Sequence, residues 1–120
     1  MSSQKSSVVK DKSYEFALLI IKVCQKMQRQ QEYVLSKQLL RSGTSIGANV
    51  SEATAAQSRR DFIAKMAISS KEARETHYWL RLLRDSKLFK DIDFSTAISR
   101  CEELIRILTA IVKTAQEKQY

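Results

Sequence analysis

Apolar residues recur along this chain in alternating four- and three-residue steps, the spacing of one face of an α-helix. Four stretches carry the pattern. In the first, residues 13–30, Phe16, Ile20, Val23 and Met27 form a stripe that Leu19, Ile21 and Cys24 widen, with Ser13 placed as the N-cap. In the second, residues 32–57, Leu39, Ile46, Val50 and Ala53 share a seam with Gly43. A polar seam runs beside it at the same spacing: Gln38, Ser42, Ser45, Asn49 and Glu52. The third covers residues 59–86, capped by Ser58 with Asp61 three positions on, and its seam is Phe62, Met66, Ser69, Ala73, Thr76, Leu80 and Leu83. The fourth covers residues 94–118, with Phe94, Ile98, Cys101, Ile105, Leu108, Val112 and Ala115 in line.

Long helices with this repeat pack at shallow angles, and short links between them give an all-α, up-down-up-down antiparallel four-helix bundle over residues 13–120. Residues 1–12 are polar and rich in serine and lysine, which predicts a flexible leader. If the second and third helices turn back on one another near Ser58, residues equidistant from it share a height. Arg41 then stands level with Glu75, and Ser45 with Glu72. The small residues Ser69 and Ala73 would face the stretch holding Gly43 and Gly47. Each glycine inside a helix costs on the order of 1 kcal/mol relative to alanine, so their presence predicts a close helix contact. A loop around them is the competing reading.

Composition agrees with helices. Proline is absent and glycine occurs only at those two positions, too few turn residues for a sheet-rich domain. The longest apolar run, residues 16–21, is far below the roughly 20 residues that span a bilayer. That, with no signal-peptide pattern, predicts a soluble cytoplasmic protein without a membrane role. Cys24 and Cys101 match no metal or redox spacing and fall on apolar positions, as small core residues do. The net charge of +8 favours polyanions, although solubility alone also accounts for surface lysine and arginine.

No catalytic or cofactor chemistry emerges. A di-iron bundle needs a Glu-x-x-His pair on each of two helices, whereas the only histidine, His77, has Arg74 three positions before it. There is no phosphate-binding loop and no nucleophile elbow. The reading is therefore no metal, no cofactor and no enzyme. Gln38, Arg41, Ser45, Asn49, Glu52, Glu72 and Glu75 read instead as a buried or half-buried hydrogen-bond network that fixes helix register.

The run YVLSKQLLRSGTSIGANVSEA, followed by QSRRDFIAKMAISSKEARETHYWLRLL, resembles the four-helix bundle proteins encoded inside intervening sequences of bacterial 23S rRNA genes. The shared positions are Gln38, Arg41, Ser45, Ile46, Ala48, Asn49 and Glu52, then Asp61 to Ile63, Glu72, Ala73, Glu75, Thr76 and Tyr78 to Leu80. The resemblance implies a ring-like homopentamer and explains why such chains are called ribosomal-protein-like. A related branch is similar to the accessory variability determinant of diversity-generating retroelements, which implies nucleic acid and a reverse transcriptase as partners.

The expected function is a non-enzymatic, homo-oligomeric accessory protein that binds RNA or DNA. Lys22, Lys26 and Arg29 on the first helix, and Lys71, Arg74, Arg81 and Arg84 on the third, are the phosphate-contact candidates, with Tyr78 for base stacking. The alternative is a structural protein–protein interaction module. Leu19 and Ile21 on the first helix, with Leu104, Ile107 and Ile111 off the main seam of the fourth, are the candidates for a subunit interface.

Overall fold

Among residues 3–118, which the computed structural model describes, every regular element is helical: α1 (Ser3–Arg29), α2 (Val34–Thr54), α3 (Arg59–Ser86) and α4 (Ser95–Glu117). α1 packs on α2 and α4, and so does α3, which leaves α1 and α3 on the diagonal of an up-down-up-down bundle. The rod measures 50 × 20 × 20 Å, and its core runs the length of all four helices. Phe16, Ile20 and Met27 meet Leu39, Ile46, Val50, Met66, Leu80, Leu104 and Leu108 there. The buried stripe of α3 is the one read from its sequence, Phe62 to Leu83.

Side chains and backbone set the helix ends. The Ser58 hydroxyl accepts from the Asp61 N–H at 3.0 Å and caps α3. A Glu32 carboxylate oxygen accepts from the Leu35 N–H at 2.6 Å at the start of α2, and Asp93 accepts from the Ser95 N–H at 2.9 Å at the start of α4. α1 stops because Gln31 turns left-handed, with φ of 66°. Its N–H then reaches Gln28 O at 2.9 Å while the Glu32 N–H reaches Met27 O at 3.0 Å, the paired bonds of a Schellman stop. Lys87 ends α3 in the same left-handed region, at φ 58°. The link that follows folds Phe89, Ile92 and Phe94 inward as an apolar plug, with the two phenyl rings edge-on at 6.4 Å.

Three expectations need correction. Residues 3–12 are not a loose leader but the first turns of α1. Val9 and Ser13 continue the buried stripe of Phe16 and Ile20, and the Ser13 hydroxyl donates back to Lys10 O at 3.1 Å instead of capping. Residues 1 and 2 of that leader lie outside the described residues. In α4, Leu104 and Ile111 are core residues, while Ile105 and Val112 are only half-buried. α4 packs on both α1 and α3, so its buried face is centred between the two apolar stripes, and Leu104 and Ile111 are not available to a partner subunit.

The third correction concerns the glycines, which are helical. An added Cβ on Gly43 would stand 2.8 Å from Ile20 Cγ2, and one on Gly47 would stand 3.2 Å from Ser13 O. Their close neighbour is α1. The close approach of α3 to α2 is carried by neighbouring positions instead: Ser69 donates to Ile46 O at 2.8 Å, and Thr76 donates to the Ser42 hydroxyl at 2.9 Å.

Candidate nucleic-acid interface

Two helices turning back at Ser58 bring the polar seam of α2 against the flank of α3. Arg41 forks between two carboxylates, reaching Glu72 at 3.1 Å and Glu75 in a second, shorter contact. The Ser45 hydroxyl donates to Glu72 at 2.9 Å, and the Asn49 amide donates to Ser45 O at 2.8 Å. The Trp79 indole N–H completes the set by donating to Glu75 at 3.0 Å. Glu75 is held below the ordinary carboxylate range, first by the Trp79 N–H and then by Arg41. Arg41 in turn is held above its usual value, chiefly by Glu75.

The network is half-exposed: the side chains of Arg41, Glu72 and Glu75 are 49%, 17% and 36% accessible. Two expected members stand apart from it. Gln38 is exposed and makes no side-chain hydrogen bond among the described residues, and Glu52 pairs with Lys65 at 3.3 Å. Trp79 was missed in the sequence, although it lies one turn beyond Glu75, a spacing at which side chains meet. One oxygen of each carboxylate, Oε2, is turned to two internal donors, so this groove ties α2 to α3 at a fixed height.

Lys22, Lys26 and Arg29 are exposed on α1, and Lys71, Arg74, Tyr78, Arg81 and Arg84 on α3. α1 and α3 are diagonal, so one chain presents these two groups on different faces. Arg84 is tied to Asp85 at 2.7 Å. The others make no ion pair among the described residues; Arg74 donates to the Thr109 hydroxyl at 3.1 Å. Tyr78 is exposed with its ring edge-on to Trp79 at 5.5 Å. Of the interface candidates, Ile21 is exposed, while Leu19 and Ile107 are half-buried.

Burial pushes both thiols, Cys24 and Cys101, up to about 12, and each donates to a main-chain carbonyl, Ser36 O and Ala73 O. Among the described residues no cluster of His, Cys, Asp or Glu could hold a metal ion, and no helix is long and apolar enough to cross a membrane.

Fold and surface together define a class, the all-α bundle with a half-exposed polar clasp between α2 and α3 and, among the described residues, several surface cations without ion-pair partners. Residues 5–110 match the family model described as 23S rRNA-intervening sequence protein, and the chain belongs to that family. It is also similar to a protein of unknown function from the S23 ribosomal protein family of Bacteroides thetaiotaomicron VPI-5482, known from a crystal structure. The two are 47% identical over 91% of this chain and 98% of that one, with a TM-score of 0.85. No curated protein matches the chain.

Proposed function

We propose that the chain is a non-enzymatic, cytoplasmic accessory protein that binds RNA or DNA as a homo-oligomer, with a five-membered ring as its assembly. The observation that supports nucleic-acid binding is the set of exposed cations without carboxylate partners among the described residues, Lys22, Lys26, Arg29, Lys71, Arg74 and Arg81, on a chain of net charge +8. Unpaired lysine and arginine release counterions from a phosphate backbone and bind it without reading sequence. The two reduced, buried thiols suit a cytoplasmic setting.

Self-association is supported by apolar side chains that the bundle leaves outside. Tyr14, Leu18 and Ile21 follow one another along the exposed side of α1, and Ile68, Tyr78 and Leu82 along that of α3. These replace the core residues Leu104 and Ile111 as the interface. The function is tested by anisotropy titration of a labelled RNA, and of its DNA counterpart, across a salt series. Affinity should fall steeply, with a log–log slope growing by about 0.7 for each single-strand phosphate neutralised. No binding at low salt would leave the protein–protein module as the function.

A further inference from the structure

We infer that the nucleic acid lies in the groove between α3 and α4, its phosphates gripped from both rims, and not along the lysine ridge of α1. This rests on the proposed nucleic-acid role and gives that role a place. The groove opens to about 260 Å³ where α3 places the small residues Ala67 and Ser70 opposite Val112 of α4. Arg74 and Lys113 line it from opposite helices, with Thr109 and Gln116 beside them. Arg74 already reaches across to the Thr109 hydroxyl, so the guanidinium is held over the groove.

The rims continue as two cationic stripes. Arg81 stands seven residues beyond Arg74 on α3, and Arg106 seven residues before Lys113 on α4, each interval about 10 Å of helix. All four cations are exposed except where Arg74 leans on Thr109, and none makes an ion pair among the described residues. Against them stands the carboxylate of Glu102, which shares a hydrogen bond with His77 at 3.0 Å.

Two of the other three long grooves are balanced internally. Between α2 and α3, Arg41 and Lys65 face Glu72, Glu75 and Glu52. Between α1 and α4, Lys12 pairs with Glu103 at 3.1 Å, and Glu15 and Arg100 line the same hollow. Lys22, Lys26 and Arg29 sit on a single convex helix, toward the end where Gln30 bonds Asp91, so a strand there meets cations from one side only. Between α3 and α4 a strand meets them from two, with Ser70, Thr109 and Gln116 able to donate to phosphate oxygens. Sequence reasoning missed Arg106 and Lys113 because it scored each helix alone.

Two double variants of the full chain remove equal charge: Arg74→Gln with Lys113→Gln, and Lys22→Gln with Lys26→Gln. Each is titrated with a fluorescein-labelled single-stranded RNA of mixed sequence across a salt series, after a circular-dichroism melt shows it folded. The groove pair should lose about tenfold in affinity at low salt and about 1.4 from the salt slope, and the ridge pair should lose far less. Equal losses, or a larger loss from the ridge pair, would overturn the groove while leaving nucleic-acid binding intact. A wild type that ignores the RNA yet binds a polyglutamate peptide through Arg74 and Lys113 would overturn both, and assign the groove to an acidic protein.

Discussion

Glu75 takes a hydrogen bond from the Trp79 indole and an ion pair from Arg41, and both favour its charged form. Its folded-state pKa therefore lies below the ordinary carboxylate value that it regains on unfolding. A depressed carboxylate stabilises the fold above its unfolded pKa, and that contribution is lost as pH falls through the folded value. The expected outcome is a urea midpoint that falls as pH drops from neutral into the acid range, and falls less in Glu75→Gln. Identical profiles would remove Glu75 from the account. With Arg41 half in solvent, the pair couples by about 0.5–1 kcal/mol in a double-mutant cycle of Arg41→Met and Glu75→Gln, not by the several kcal/mol of a buried pair. The meeting of Arg41 with Glu75 and of Ser45 with Glu72 was legible in the sequence, since residues equidistant from the Ser58 turn must share a height. Trp79 was not, because it meets Glu75 along its own helix, one turn away, and matching heights across the turn compares only residues on different helices.

At the scale of helices, α2 carries two close contacts on adjacent faces. Ser69 brings α3 to the carbonyl of Ile46, while Gly43 and Gly47 admit α1. The sequence marks a close approach by the cost of its glycines but does not say which neighbour uses it, because Gly43 lies between the faces turned to α1 and α3. Ile20 is buried and β-branched, so its χ1 is fixed in a helix and its Cγ2 cannot swing away. Gly43→Ala should gain about 1 kcal/mol of helix propensity and lose about 1–3 kcal/mol to overpacking, for a net loss in a thermal melt. Gly47→Ala, half-exposed and facing Ser13 at 3.2 Å, should lose less. Ile20→Ala, costly alone, should relieve Gly43→Ala, so additive effects of the two would place the contact elsewhere. The start of α1 and the rotation of α4 escaped sequence reading for physical reasons too. Val8 and Val9 are the two apolar residues of a polar stretch, and Leu104 and Ile105 are equally apolar neighbours that only two-sided packing tells apart. The ends at Gln31 and Lys87 lack the glycine that usually marks a left-handed stop.

The whole molecule presents two exposed apolar stripes, and the diagonal arrangement sets how they can be used. Tyr14, Leu18 and Ile21 lie on α1, and Ile68 and Leu82 lie on α3, which the bundle holds apart with α2 and α4 between them. In the proposed homo-oligomer, α1 of one copy would meet α3 of the next, a heterologous contact that gives a ring where the rotation closes. If each stripe instead met its own kind, the contacts would be isologous, and a chain left with one stripe would stop at a dimer. Leu18→Asp and Leu82→Asp should each break one side, so in the heterologous arrangement either protein alone should run as a monomer by light scattering. Mixing the two separates the cases. In the heterologous arrangement, the intact α3 stripe of Leu18→Asp meets the intact α1 stripe of Leu82→Asp, and the mixture should form a dimer that can grow no further. In the isologous arrangement, each variant keeps one intact self-complementary stripe, so each dimerises alone and mixing adds nothing. A wild type that stays monomeric at micromolar concentration would reject both and leave the stripes for another protein.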